Sequence, residues 1–145
     1  MNAERAPVAA PTAAMFDEDH ASRSLGIELL EAGNGTALTR MSVTPDMVNG
    51  HAIAHGGYVF LLADTAFACA CNSHGPVTVA ASAQITFLAP AHEGDLLYAR
   101  ATERHRRGRG GLYDTTVFRE HPTTEVVAEF RGHSRSLEPR KDRES

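Results

Sequence analysis

The chain has 145 residues, of which 42% are hydrophobic and 22% are charged, and its formal net charge at pH 7 is −4. This length suits one domain with a sizeable core, and the composition is ordinary for a globular protein. The negative net charge argues against nucleic acid or an anionic membrane surface as the main partner.

Both ends of the chain differ in composition from its middle. Residues 1–14 are rich in Ala and Pro and lack periodicity, which predicts a disordered leader. Residues 138–145 form a charged segment that we also predict to be disordered. The domain is therefore expected to span residues 15–137. Because the N-terminus has no continuous apolar segment after a basic start, no secretory signal is predicted.

The chain has two cysteines, Cys69 and Cys71. Side chains two positions apart on a helix point in widely different directions, so these two are poor partners for a disulfide or a metal. We expect free thiols and a reducing, cytoplasmic location.

The order of elements predicts an α+β fold. A short amphipathic helix is expected from Phe16 to about Gly26, followed by a hairpin around Ala32-Gly33-Asn34-Gly35. A long helix comes next, and after it the apolar residues alternate with polar ones, as in a strand. Strands are predicted at 27–31, 36–43, 77–87, 95–103, 111–119 and 125–136. Successive antiparallel strands with one long helix predict a curved sheet wrapped around that helix.

The long helix is the segment from Tyr58 to Cys71, which is apolar at nearly every position and rich in Ala and Leu. A helix that is apolar on all faces is expected to be buried, and this one is too short for a membrane span of about 20 residues. One carboxylate, Asp64, lies at its centre. A buried carboxylate is costly unless it has partners or its pKa rises.

His55, Gly56 and Gly57 precede this helix, and the two glycines leave room for a ligand near the N–H groups of the first turn. Such N–H groups, at the positive end of the helix dipole, can stabilise an oxyanion. Gly56 and Asp64 are two turns apart, roughly 12 Å along the axis. Since a reacting carbonyl must lie close to both groups, we predict a dimer in which two antiparallel helices share each site.

Five stretches of the sequence carry a resemblance to a known family. They are N-G-H-A-I-A-H-G-G at 49–57, L-A-D-T-A-F-A at 62–68, A-C-N-S at 70–73, I-T-F-L-A-P at 85–90 and G-L-Y-D at 111–114. Together they resemble the hot-dog fold thioesterases, most closely the phenylacetate-degradation (PaaI) type, over about residues 16–136. The fold that this implies agrees with the predicted order of elements.

The resemblance implies hydrolysis of acyl-CoA thioesters of the aryl or phenylacetyl type, in aromatic acid catabolism, without a metal or organic cofactor. Asp64 would be the catalytic carboxylate, acting as nucleophile or as general base on water, and the Gly56 N–H would polarise the carbonyl. Asn49 and His55 would line the site and position the substrate. Relatives form dimers with a continuous sheet and two shared sites, and such dimers commonly pair into homotetramers.

Three further residues are candidates for substrate binding. Gly57 follows the proposed oxyanion donor, and Thr65 adjoins the acid and could position a water molecule. Ser82 is the nearest hydroxyl on the strand where some relatives place a serine, although a one-residue shift on a strand reverses the face. The residue that positions water stays open at this point.

Four of the 14 Lys and Arg residues fall between Arg104 and Gly111, a stretch that we expect to be a single turn. Arg106, Arg107 and Arg109 could bind the phosphates of CoA, because a guanidinium group binds phosphate in a bidentate way. The alternative is a solvated hairpin tip, and both interpretations stay open.

Other functions remain as alternatives. His51 and His55 have the i, i+4 spacing of a metal pair, but the glycines place them before the helix and no third ligand follows, so no metal is predicted. His55 with Asp64 could instead belong to an acyl-CoA hydratase or dehydratase of the same fold. A non-catalytic acyl-CoA-binding module is the other alternative. Because the chain has no G-x-S-x-G motif, a serine triad hydrolase is not predicted.

Overall fold

The computed structural model describes residues 7–137. Its helices and strands are α1 (Ala10–Asp17), α2 (His20–Ser24), β1 (Glu28–Gly33), β2 (Thr36–Ser42), α3 (Gly56–Cys71), β3 (Thr78–Phe87), β4 (Leu96–Arg107), β5 (Gly110–Arg119) and β6 (Glu125–Ser136). Short 3-10 turns lie at Pro45–Met47 and Asn72–His74. No helix within residues 7–137 is long and apolar enough to cross a membrane.

The six strands form one antiparallel sheet in the order β1-β2-β4-β5-β6-β3, and α3 packs against the middle of it. The predicted architecture, a curved antiparallel sheet around one long helix, is thereby confirmed. The β1–β2 hairpin turns at Asn34 and Gly35, which both have positive φ, as the Asn-Gly pair predicts.

Small side chains allow α3 to lie close to the sheet. Ala63, Ala66 and Ala70 of the helix are fully buried, as are Ala99 and Ala101 of β4. Alternate residues of β4 and β5 point to this interface, so the period-two pattern of the sequence becomes the core face of the sheet.

The far end of α3 is tied to the start of β3 by one side chain. Asn72 donates from Nδ2 to the carbonyl oxygens of Ala68 and Thr78, both at 2.9 Å, and its Oδ1 accepts the N–H of Thr78 at 3.0 Å. The helix and the edge strand β3 are therefore held in one fixed relation, and β3 runs back along α3 to end beside the first turn of the helix.

The predicted disorder of residues 1–14 is wrong for the part from Ala10 onward. Helix α1 begins at Ala10, has Pro11 in its first turn, and buries Thr12 completely. The Thr12 hydroxyl donates to the carbonyl oxygen of Cys69 at 2.9 Å, so α1 docks on the last turn of α3. Residues 1–6 of the predicted leader and all of the predicted tail lie outside the described residues.

The single amphipathic helix expected from Phe16 is also wrong. The chain instead forms two helices, because α1 ends at Asp17 and Asp19 caps the N-terminus of α2. The side chain of Asp19 accepts the N–H of Ser22 at 3.0 Å, which is the interaction of an N-cap residue.

Candidate active site

The start of α3 is held by backbone and side-chain hydrogen bonds. The N–H of His55 donates to the Met47 carbonyl and that of Ala54 to the Ala91 carbonyl, each at 2.7 Å. Nδ1 of His55 accepts the N–H of Gly57 at 3.0 Å and so caps the helix. His55 therefore makes a hydrogen bond at the start of the helix, and this fixes the direction in which the remaining N–H groups point.

Asn49 stabilises the loop before α3. Its side-chain oxygen accepts the N–H of His51 at 2.8 Å, and its backbone N–H donates to the Ile53 carbonyl at 2.8 Å. This closed turn includes Ala52 with a positive φ of 64°. Asn49 thus shapes the loop that forms one wall of the site.

The N–H of Gly56 donates no hydrogen bond within residues 7–137. Gly56 lies at the positive end of the α3 dipole and lines an open cleft of about 570 Å³. The other lining residues are Asn49, Ile53, Ala54, Val59, Phe87, Leu88, Ala89, Pro90, Ala91 and Val127. An apolar cleft with one unoccupied N–H donor suits an uncharged carbonyl that gains negative charge during a reaction.

Arg119 fixes the wall of this cleft that follows β3. Its Nη1 atom donates to the Pro90 carbonyl at 2.9 Å and to Oδ2 of Asp95 at 3.2 Å. Nη2 pairs with Glu125, and the guanidinium is largely buried, so the segment of Pro90 is anchored on β5. The cleft is therefore bounded on both sides by segments with several hydrogen bonds.

Asp64 lies two turns beyond Gly56 and is only half-buried, so the expectation that α3 is buried on all faces is wrong for a single chain. Gly57, Asp64 and Ala68 lie along the face that stays partly open. Within residues 7–137 the Asp64 carboxylate has no hydrogen bond or ion pair. Burial raises its pKa above the ordinary value of 3.8, and the negative charge of Asp19 raises it further.

Both predicted hydroxyls point away from the acid. The Thr65 hydroxyl is buried and lies 2.8 Å from Oγ of Ser22, which donates to Asp19, so Thr65 packs against α2. Ser82 pairs with His133 on the sheet face opposite α3, after a β-bulge in β3. Neither residue is brought to Asp64 within one chain.

The prediction that the arginine-rich stretch forms a single turn is wrong. Arg104, Arg106 and Arg107 lie on β4, and only Arg109 lies in the two-residue turn between β4 and β5. Arg106 and Arg109 line a second cavity of about 350 Å³ at the C-terminal end of α3, and Arg107 does not. Tyr113, a buried residue of β5, also lines this cavity. The cavity lies at the opposite end of the 16-residue helix from Gly56.

Comparison with known proteins assigns this chain to a family. A model of the thioesterase superfamily matches residues 51–126, a span that contains both Gly56 and Asp64. The chain belongs to the thioesterase superfamily. The fold is the hot-dog fold, and the expected enzyme class, a thioester hydrolase, is confirmed by this membership.

Particular relatives agree with this assignment. The chain is 44% identical over 124 residues to the acyl-coenzyme A thioesterase PaaI of Escherichia coli, covering 86% of this chain and 87% of that protein. The structure of the E. coli PaaI protein from the phenylacetic acid degradation operon superposes with a TM-score of 0.85 at 41% identity, covering 88% and 91% of the two chains. A mutant of the phenylacetic acid degradation protein PaaI from Thermus thermophilus gives a TM-score of 0.75 at 34% identity, covering 80% and 97%.

Sequence reasoning gave no role to the segment that closes the cleft. Phe87 to Ala91 form one wall, and this segment follows directly on the strand in the I-T-F-L-A-P motif. The signal in the sequence was the apolar pair Phe87-Leu88 at the end of the predicted strand, shortly before Pro90. Its meaning depended on how β3 packs along α3, which periodicity does not report.

Proposed function

We propose that the protein hydrolyses acyl-CoA thioesters to the free acid and CoA, with aryl or phenylacetyl-type acyl groups as its substrates in aromatic acid catabolism. One observation carries the proposal: α3 combines an N-terminal N–H and a carboxylate two turns along, neither of which has a hydrogen-bond partner within residues 7–137. The names of the similar proteins, an acyl-CoA thioesterase and a protein of a phenylacetic acid degradation operon, support the substrate class. The free thiols of Cys69 and Cys71 are compatible with a cytoplasmic location.

In the proposed reaction, the Gly56 N–H donates to the thioester carbonyl oxygen and stabilises the negative charge that develops there. As a general base, Asp64 takes a proton from water while the hydroxyl oxygen bonds to the carbonyl carbon. The C–S bond then breaks and the departing thiolate receives that proton. As a nucleophile, Asp64 bonds to the carbonyl carbon directly, and the C–S bond breaks to release the CoA thiolate. Water then hydrolyses the resulting anhydride to the acid and the free Asp64 carboxylate, and the proton released from water passes to the thiolate. Both routes use the same two groups.

One chain does not bring these two groups to one carbonyl, since eight residues of helix separate them by roughly 12 Å. We therefore propose a homodimer formed by antiparallel pairing of two β3 strands. Strand β3 lies at the sheet edge and is exposed along nearly its whole length, with Val79 44% and Phe87 52% exposed. A two-fold axis through this edge makes the α3 helices antiparallel, so Gly56 faces Asp64 of the partner subunit. Pairing of dimers into a homotetramer remains part of the proposal.

The same axis suggests a use for the arginine-lined cavity. Antiparallel helices bring the C-terminal end of one α3 towards the N-terminal end of the other. The cavity with Arg106, Arg109 and Tyr113 would then lie near the cleft of the partner subunit. We propose that it binds phosphate groups of CoA. Arg107, which lies outside the cavity, has no role in this proposal.

The structure favours this function over the hydratase alternative. In a hydratase, His55 would act as an acid or base together with Asp64. Here Nδ1 of His55 accepts the N–H of Gly57, so this ring nitrogen is engaged in capping α3 rather than available as a base. His55 and Asn49 are better suited to fixing the start of α3, and so the position of the Gly56 N–H.

The test is release of free thiol from phenylacetyl-, 4-hydroxybenzoyl-, hexanoyl- and palmitoyl-CoA, with Asp64→Asn beside the parent protein. We expect thiol release by the parent, greatest for an aryl substrate, and a loss of at least about a hundredfold in the variant. No thiol release by folded parent protein contradicts the proposal. Loss of crotonyl-CoA absorbance without thiol release would support the hydratase instead.

A further inference from the structure

The aromatic ring of Phe87 lies directly beside the proposed oxyanion donor. Phe87 is the last residue of β3, and the outer edge of its ring faces Gly56. A Cβ atom placed on Gly56 would lie 2.9 Å from Cζ of Phe87, closer than van der Waals contact allows. The ring therefore fills the space beside Gly56 in the cleft that both residues line.

The cleft around this contact has a buried floor and an exposed rim. Ala54, Val59, Ala91 and Val127 form the floor and are at most 8% exposed. Phe87 and Leu88 stand at the rim and are 52% and 56% exposed. Asn49 supplies the one polar side chain among the lining residues. This chemistry suits a hydrocarbon group and excludes a charged one.

We infer that Phe87 determines acyl specificity by limiting the size of the group attached to the thioester carbonyl and by packing against aryl rings. The inference rests on the proposed function, because it takes the carbonyl to sit at the Gly56 N–H. A ring beside that carbonyl narrows the space at the carbon next to it. Its face and edge also contact an aryl group in the offset or edge-to-face geometry that aromatic pairs favour.

The test compares kcat/KM for phenylacetyl-CoA with that for diphenylacetyl-CoA, which carries a second ring on the same carbon. Phe87→Ala removes the ring and opens the cleft, and Phe87→Leu keeps an apolar side chain if the first variant folds poorly. The control is Phe118→Ala, which removes an equal ring that stacks on Tyr98 at 5.5 Å outside the cleft. Thermal unfolding and oligomeric state are measured for every variant.

We expect Phe87→Ala to lower the preference for phenylacetyl-CoA over diphenylacetyl-CoA by about tenfold or more, and Phe118→Ala to leave that ratio unchanged. An equal fall for both substrates, or an unchanged ratio, overturns the inference, because a purely structural role lowers both alike. If the parent releases no thiol from any substrate, the proposed function fails instead. The two failures are therefore distinguishable.

A second measurement tests the contact itself. Gly56→Ala keeps the backbone N–H but places its methyl group against Phe87. We expect Gly56→Ala to lower kcat/KM strongly in the parent protein. In the Phe87→Ala background, where the ring is absent, the fold-loss in kcat/KM caused by Gly56→Ala should be about ten times smaller. Equal losses in both backgrounds would show that the ring does not shape the space at Gly56, and would overturn the inference.

Discussion

At the scale of single residues, Asp64 is the most unusual group in the molecule. It is a carboxylate on an otherwise apolar helix, half-buried and unpaired within residues 7–137. Removal from water and the nearby charge of Asp19 both disfavour its ionised form, which raises its pKa. Such a group reduces stability at neutral pH, as expected for one retained for chemistry.

The first prediction concerns stability. Because its pKa is raised in the folded state, protonated Asp64 stabilises the fold fully below the pKa of the unfolded chain, and this stabilisation is lost as pH rises through the folded-state pKa. Asp64→Asn should therefore increase the free energy of unfolding at pH 7, with the gain shrinking below about pH 4. Urea unfolding at both pH values measures this, with exposed Asp46→Asn as the control. A gain that is larger in acid would contradict it.

The second prediction concerns the pH dependence of the reaction. Asp19→Asn removes the neighbouring negative charge, so the pKa of Asp64 should fall and the acid limb of kcat/KM should move to lower pH. Asparagine can still accept the N–H of Ser22, so the cap of α2 survives. Asp17→Asn, which removes a charge that pairs with Arg23 instead, is the matched control. An acid limb that stays in place would rule out this coupling.

At the scale of elements, the helices and strands with a strong local hydrophobic pattern were the ones that the sequence predicted. The apolar run of α3 and the alternation of the strands depend on neighbours in sequence, so both were predicted from the sequence. The helix from Ala10 was missed because its stability comes from a tertiary contact, Thr12 to Cys69. The direction of the Ser82 side chain depends on a bulge in β3, and that of the Thr65 side chain depends on the packing of α2. Neither the bulge nor this packing produces a periodic pattern in the sequence.

The third prediction tests that tertiary contact. Thr12 is fully buried, and its hydroxyl donates to a carbonyl in the last turn of α3 that lacks a partner further along the helix. Thr12→Val keeps the shape but leaves the carbonyl unpaired, and should cost about 1–2 kcal/mol of stability. Thr12→Ser keeps the hydroxyl, so it should avoid most of that loss in the free energy of unfolding, measured with denaturant. Equal losses in the two variants would mean that packing, not the hydrogen bond, holds α1.

At the scale of the whole molecule, the proposed site is divided between the start and the middle of one helix, and the sheet formed within residues 7–137 has an uncovered edge. A carbonyl held at Gly56 is out of reach of Asp64 in the same chain. Within the described part of the chain, β3 offers a row of backbone groups without strand partners, beside apolar side chains. The proposed two-fold axis would resolve both features, since it would cover the edge and make the helices antiparallel. The dimer is thus proposed from helix length and strand exposure together.

The fourth prediction separates shared sites from sites within one chain. Gly56→Pro removes the N–H, and a proline is tolerated at the first position of a helix when the preceding residue is extended, as His55 is with ψ of 135°. Because its Cβ atom would meet the Phe87 ring, both variants are made in the Phe87→Ala background, which serves as the parent. This variant and Asp64→Asn should each be inactive alone. When the two are unfolded and refolded together, half of the dimers are mixed, and each mixed dimer has one complete site. The mixture should therefore regain about a quarter of the parental thiol release. If the mixture stays inactive while size-exclusion chromatography and a tag on one variant show that mixed dimers have formed, each site must lie within a single chain, and the two-fold arrangement of α3 would have to be abandoned.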